Sequence, residues 1–519
     1  MVVEIANSYM LKYMKIYFWQ FVSLITNLGS MFIVLPFLTS NPVVYGIYAI
    51  CISVTIFFSY ADLGFIYAGQ KYAAEYYIKN DDVNEKKIIG FSIFILTIVI
   101  SIFSLFILFF YYNPGFIIKD ISNNIENLNI AKNLFLFFFY SCFLTILQRT
   151  TQLIFSIRLE EYILQRFNIF GNILRLLSIF WFFREGSYEL IQYFAFFQLI
   201  NSLIIVICFY TIKKRYNYSL RDLFKEIKFD KDQFNISRYL AFSGLYIMII
   251  WILYYELDQI IIGKYFGPYY VSIFAIGFSL LSFIRGLLGI LYSPFNHRFN
   301  YFTGLNDFSG LKYFYKDLVI YLSPLIIGFI FSFYLFTEHI IISWVGIEFK
   351  ASISIAKFLI LCNLYAFISY PTSMLLKSLV RLREFNIFNF FIPFVFYLII
   401  YVSIDHYGIV SFAFSKFIVF SILALFYLVF FLKYLQINFF KFILRLIKTN
   451  IISLGFLSLF FILLKDFLPY SKSSLNLFIV LFSIFLGMIF YYLIVLICNK
   501  SVRLFYLSKL KIISKKFFK

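Results

Sequence analysis

The chain has 519 residues, of which 62% are hydrophobic and only 13% charged, and it carries a formal net charge of +20. Water-soluble domains are about half apolar and a quarter charged, so this composition excludes a soluble globule and puts the chain in a bilayer. The 76 Phe and 43 Tyr come with abundant Ile, Lys and Asn, a pattern of coding bias rather than of aromatic ligand cages. Cys51, Cys142, Cys208, Cys362 and Cys498 are far apart within apolar runs, and His297, His339 and His406 are isolated. That spacing offers no disulfide framework and no metal or haem site, and no cofactor is expected.

A helix needs about 20 apolar residues to cross the hydrocarbon layer. On that template fourteen spans are expected, at roughly 16–36, 45–63, 88–112, 134–154, 163–183, 190–210, 239–262, 271–294, 318–335, 356–376, 385–404, 409–432, 451–464 and 475–498. The first follows Lys12 and Lys15 as a signal peptide would, but it has no small-residue cleavage site and is read as a retained span. Charge sets the orientation. With the N-terminus inside, the outer loops hold only Lys119, Lys132, Arg184, Lys264, Lys350, Lys357, Lys465 and Lys472 of the 45 Lys and Arg. Three more lie deep in the spans, and all the rest are assigned to the inner side. Cytoplasmic loops carry such an excess, so the expectation is an all-α integral membrane protein of about 14 transmembrane helices with both termini cytoplasmic. The net charge then needs no nucleic-acid partner.

Two stretches recur. NPVVYGIYAI at 41–50 returns as GPYYVSIFAI at 267–276, with Pro, Ile, Ala and Ile in register. RLEE at 158–161 faces RLRE at 381–384, and FNIF at 167–170 returns at 385–388. A turn and a membrane helix used twice predict a duplicated bundle. The expected organisation is a six-helix bundle over 1–212, a cytoplasmic linker over 213–238 and a second six-helix bundle over 239–432. Two additional spans and a basic cytoplasmic tail occupy 433–519. In the linker, Leu220, Leu223, Phe224 and Ile227 recur at helical spacing among Arg221, Lys225 and Lys228, which predicts an interfacial helix. The tail after Lys500 has the same mixture, suited to anionic lipid.

The three cations deep in the spans are Arg175, Arg285 and Lys416. An ionised residue at mid-span must face a water-filled cavity or a partner, which makes it a functional-site candidate; the alternatives are a structural ion pair or snorkelling to the interface. Arg175 lies about twelve residues into the fifth span, roughly 18 Å along the helix axis and near the bilayer centre. Arg285 is similarly deep in the eighth, and Lys416 sits nearer the outer end of the twelfth. On the acidic side, Asp62 closes the second span, while Glu256 and Asp258 lie toward the outer end of the seventh. Two positions on a helix are about 200° apart, so these last two do not share a face. Asp258 opens a turn-bound stretch and reads as structural; Glu256 is the candidate proton or cation site.

SYADLGFIYAGQKYAAEYY after the second span and LDQIIIGKYFGPYYVSIFAI leading into the eighth resemble the polysaccharide-export branch of the multidrug/oligosaccharidyl-lipid/polysaccharide (MOP) superfamily. The likeness is to Wzx-type O-antigen and capsule-unit flippases. Asp62, Leu63 and Gly64 match that family's D-L-G element, and Asp258, Gly263, Gly267 and Pro268 match its D-x-x-x-x-G-x-x-x-G-P-like element. The resemblance implies two bundles related by an axis along the membrane normal, around a central cavity that opens alternately to each side. It implies a flippase rather than an enzyme, in the bacterial inner (cytoplasmic) membrane, working in lipopolysaccharide O-antigen or capsule biosynthesis. The implied cargo is a polyprenyl-diphosphate-linked oligosaccharide, with membrane lipid, a polysaccharide polymerase and a chain-length regulator as partners. Arg175, Arg285 and Lys416 would then hold the diphosphate, for which the guanidinium fork is suited, and Glu256 and Asp62 would couple an ion. The seventh span lacks a family acidic motif that would choose between proton and sodium. A drug/cation antiporter of the same superfamily would present acidic residues to its cavity instead. A membrane-embedded polysaccharide polymerase would need catalytic groups on a large outer loop, and the loops near 113–133 and 336–355 hold few.

Overall fold

The apolar runs begin where a side chain can serve the unpaired amides of a first helical turn. Asn41 accepts from the Val44 amide at 3.2 Å with Pro42 in the first turn, and Asp81 accepts from Asn84 at 3.1 Å. Asn124 accepts from Asn127 at 3.1 Å, Asp307 from Gly310 at 2.8 Å and Asn438 from Lys441 at 2.9 Å. Asn and Asp are preferred at this position because their side-chain oxygen replaces the missing carbonyl, and Pro suits the first turn because its absent amide is not needed.

The computed structural model describes residues 2–184, 187–379 and 382–507. Arg381 of the second echo, the basic tail from 508 on, and the side chains of Lys12, His297, Arg383 and Glu384 lie outside the described residues. Among the described residues every regular element is helical, and ten helices are long and apolar enough to cross a membrane. The chain is an all-α, multi-pass membrane protein. The second, fifth, seventh and tenth expected spans are built differently. Pro42–Thr55 is short and gives way to a 3₁₀ turn, Ile56–Tyr60. Glu161–Phe182 is interrupted in its apolar character by Arg166 and Arg175. The seventh is broken into Lys231–Trp251, a π-helical turn Ile252–Glu256, and Asp258–Tyr265. The tenth bends by 46° between Ser352–Leu361 and Ala366–Leu376.

Backbone packing divides the chain into two compact units, Met1–Ser272 and Ile273–Lys519. In the first, Asp82–Tyr112 packs against Phe65–Ile78 and Ile125–Ile157, Val2–Leu38 against Glu161–Phe182, and Ile125–Ile157 against Leu190–Tyr216. Phe65, Phe91, Ile154 and Phe155 form part of its buried core, joined by Leu223 from the linker. The linker helix Leu220–Lys225 thus inserts one apolar residue into the core while its neighbour Phe224 stays exposed. The broken seventh segment belongs to this unit by packing, with Lys231–Trp251 against Phe65–Ile78 and Asp258–Tyr265 against Pro42–Thr55. Two glycines make these approaches possible. A Cβ on Gly46 would lie 1.8 Å from the Pro268 carbonyl oxygen, so the first turns of the two echoed stretches touch. Gly64 has φ +81°, and its Cβ would lie 2.6 Å from the Ala241 carbonyl oxygen.

In the second unit Phe308–Leu335 packs against both Phe439–Leu464 and Ser474–Cys498, which also pack on each other. A buried polar hub joins the three. The Tyr491 hydroxyl donates to Asn450 Oδ1 at 2.9 Å, and Asn450 Nδ2 donates to Ser323 Oγ at 3.1 Å. A hub of this kind costs desolvation that only a fully formed hydrogen-bond set offsets, so it fixes the register of the last two spans. Leu457, Tyr491, Val495 and Val502 complete the apolar packing around it.

Candidate functional site

Arg175 sits on Glu161–Phe182 one helical turn after Asn172, so the two side chains share a face. Its Nη1 donates to Asn172 Oδ1 at 2.8 Å, and its Nη2 donates to Asn201 Oδ1 from Leu190–Tyr216. The guanidinium carbon lies 3.8 Å from the centre of the Phe197 ring. Nε is buried and has no hydrogen-bond partner among the described residues. Asn172 is itself held by a 2.5 Å bond to Asn27 Oδ1, and Asn201 Nδ2 reaches Gln198 Oε1 at 3.4 Å. The cation is therefore positioned by neutral amides and an aromatic face, which orient a charge without cancelling it.

The other sequence candidates divide between the units. Arg285, on Pro268–Tyr292, has its guanidinium 5.1 Å from the Phe420 ring centre, and its carbonyl accepts from the Tyr370 hydroxyl at 3.3 Å. Lys416 is wholly buried in Val410–Tyr434, its Nζ 5.4 Å from the Phe278 ring and 5.7 Å from Phe396. Glu256 ends the π-helical turn and accepts from Trp251 Nε1 at 3.2 Å and from the Tyr60 hydroxyl at 3.3 Å. The π-turn stacks Trp251 on Tyr255 at 4.3 Å, and such turns are frequent at functional sites. Asp62 accepts from the Ile66 amide at 3.2 Å, so its carboxylate serves the start of Phe65–Ile78 across the left-handed Gly64. Glu256, Asp62 and Arg175 fall in the first unit, and Arg285 and Lys416 in the second.

At the level of sequence, no family model and no curated protein matches the chain. Its fold does find counterparts. The chain is similar to the lipid II flippase MurJ in an inward closed conformation, with a TM-score of 0.65 at 14% identity over 93% of this chain and 98% of that one. It is similar to an inward-facing multidrug resistance MATE family transporter of the MOP superfamily, with a TM-score of 0.61 at 12% identity over 80% and 94% of the two chains. A MOP superfamily transporter from Pyrococcus furiosus gives a TM-score of 0.54 at 11% identity over 82% and 95%. The chain shares its fold with these transporters.

Within this fold the first unit also carries a charge network of a different kind. Arg158 Nη2 donates to Glu85 Oε1 at 2.9 Å, with the two side chains 7% and 1% exposed. The guanidinium also bonds the Ile154 carbonyl at 3.2 Å and lies 4.8 to 5.0 Å from the rings of Tyr77, Tyr216 and Tyr218. Two residues on, Glu160 takes both forks of Arg215 at 2.6 and 2.8 Å and a bond from the Tyr216 hydroxyl at 2.5 Å. Leu159, between them, has φ +54° and turns the two side chains to separate partners. Sequence reasoning used RLEE only as an echo and counted Arg158 as a loop cation. The alternation of Arg and Glu at a span end, with an acidic start to Asp82–Tyr112, is the unused signal of paired burial. Asn172, Gln198 and Asn201 were missed for another reason: a search for ionisable groups inside spans passes over amides.

Proposed function

We propose that this chain is a flippase that moves a polyprenyl-diphosphate-linked oligosaccharide across the bacterial inner membrane by alternating access, in the manner of the Wzx-type exporters. The observation that carries the reading is Arg175, a cation on a largely apolar helix, held by amide oxygens and an aromatic ring, with no carboxylate partner among the described residues. A diphosphate supplies the counter-charge such a site lacks, and the guanidinium fork suits two phosphate oxygens. The likeness of fold to the lipid II flippase MurJ is consistent with this cargo. Arg285 is the corresponding cation of the second unit, and the buried Lys416 has a lesser part. Glu256, with Asp62 behind it, is the proposed ion-coupling carboxylate. On this reading the two repeats are equivalent bundles, both termini are cytoplasmic, no enzymatic step is involved, and the product is O-antigen or capsule, received by a polymerase and a chain-length regulator. A drug/cation antiporter is the second reading, favoured by the likeness to the MATE transporter; it would make Glu256 rather than Arg175 the cargo contact.

The test is transfer of a polyprenyl-diphosphate-linked sugar into an externally accessible form by the full chain in proteoliposomes. A hydrogen bond to a charged group contributes about 1.5–3 kcal/mol, so Arg175→Ala or Arg285→Ala should each slow transfer about ten- to a hundredfold with the protein still folded. Arg175→Lys should recover only part, since it keeps the charge and loses the fork. Transfer that survives Arg175→Ala and Arg285→Ala together removes both residues from the cargo site.

A further inference from the structure

Next to Arg175 the first unit contains a pocket of about 190 Å³ whose lining is mixed in a specific way. Gln198 and Asn201 from Leu190–Tyr216 face Gln148 from Ile125–Ile157, and Phe138, Phe194 and Phe197 supply aromatic walls. Phe194 and Phe197 are stacked at 5.6 Å with 6° between their planes, and Phe138 meets Phe194 edge-on at 5.0 Å. No Asp, Glu, Lys, Arg or His lines the space. Each amide both donates and accepts, which matches a hydroxyl, and flat aromatic faces match the C–H face of a pyranose ring. Asn201 belongs to both sites: it lines the pocket and its Oδ1 receives Arg175.

We infer that this pocket binds the uncharged sugar ring attached directly to the diphosphate. In a sugar diphosphate the first ring is bonded to a phosphate oxygen through its anomeric carbon, so a site for that ring must adjoin the site for the phosphate. Asn201 supplies that junction. An acidic ring is disfavoured here because its carboxylate would be buried against amides and phenyl rings with no cation in the lining. The inference rests on the flippase reading and assigns the sugar selectivity of the same site to Gln148, Gln198 and Asn201.

The experiment measures binding of three probes to the purified full chain in nanodiscs: undecaprenyl diphosphate, the same lipid bearing N-acetylglucosamine, and the same lipid bearing glucuronic acid. The N-acetylglucosamine lipid should bind about tenfold tighter than the bare diphosphate, the worth of one or two neutral hydrogen bonds, and the glucuronic acid lipid no tighter than the bare diphosphate. Gln148→Leu and, as a second variant at the same exposed position, Gln148→Ala should each reduce that gain without changing affinity for undecaprenyl diphosphate. Equal affinity of the wild-type chain for the bare and N-acetylglucosamine lipids overturns the pocket assignment and leaves the diphosphate reading standing. So does an equal loss on both lipids in both variants. Binding of none of the probes overturns the flippase reading and the pocket assignment together.

Discussion

The Glu85–Arg158 pair lends itself to a double-mutant cycle whose outcome can be ranked beforehand. Glu85 is 1% exposed, its Oε1 is 2.9 Å from Arg158, and its Oε2 has no hydrogen-bond partner among the described residues. Arg158→Leu would therefore leave a sealed carboxylate without its cation, at about 3–5 kcal/mol, the usual loss on breaking a buried pair. Glu85→Leu should cost less. The guanidinium it strands keeps the Ile154 carbonyl and the faces of Tyr77, Tyr216 and Tyr218, and a cation over an aromatic ring retains about 0.5–2 kcal/mol. The double variant Glu85→Leu with Arg158→Leu should regain most of the loss, because apolar replacement of a whole buried pair is often neutral. The assay is an SDS-denaturation titration of the detergent-solubilised protein, followed by tryptophan fluorescence. A double variant as unstable as the sum of the two singles would show that the residues do not act on each other and would refute the reasoning.

Gly64→Ala should destabilise the first unit by more than the ~1–2 kcal/mol of a left-handed backbone alone, since its Cβ also meets the Ala241 carbonyl. Gly64→Asn, which tolerates that backbone better, should be no more stable than Gly64→Ala in the same titration; a clear rescue by Asn would rule out the steric contact. Asp307 is held below the usual carboxylate range by the Gly310 amide and the Ser309 hydroxyl. Its capping contribution is thus present above the ordinary carboxylate range and lost as pH falls through the lowered value. Amide-exchange protection over the first turn of Phe308–Leu335 should drop on acidification, and Asp307→Asn should make it independent of pH.

Much of the architecture was legible because a bilayer enforces it. Apolar length alone marked the helices, and the caps at Asn41, Asp81, Asn124 and Asn438 follow from residue type. The interruptions were not legible in the same way. The π-helical turn at Ile252–Glu256 leaves no periodicity signal in an apolar run, and the 46° bend after Leu361 has no proline at the break to announce it. Arg175, Arg285 and Lys416 could be singled out as candidates because charge is conspicuous in an apolar span. Their surroundings were hidden, since Asn201 is 26 positions from Arg175 and only the packing of Leu190–Tyr216 beside Glu161–Phe182 brings the amide to the guanidinium. Arg158 was misjudged for the converse reason: a residue at a helix end reads as loop, yet the turn at Leu159 folds it inward onto Glu85.

The first unit uses arginine in two ways, and the contrast bears on mechanism. Arg158 and Arg215 are matched with carboxylates, so their charge is consumed in holding the fold together. An anion arriving at Arg158 would have to displace the buried Glu85 carboxylate, and the roughly 3–5 kcal/mol that such a separation costs would oppose its binding. Arg175 has amides in those positions. Amides satisfy two of its donors and lower the cost of keeping a guanidinium in an apolar span, but they carry no charge that a ligand must displace. Its buried Nε remains available as a further donor. On the proposed reading the counter-charge is the cargo itself, so the site is least comfortable when empty and most stable when loaded. Ligand that binds only the folded state stabilises it in proportion to RT ln(1 + [L]/Kd), and this stabilisation should pass through Arg175. The same arrangement favours release: as the cargo leaves, Asn172, Asn201 and Phe197 remain as partners, and no carboxylate has to be recovered before the next cycle.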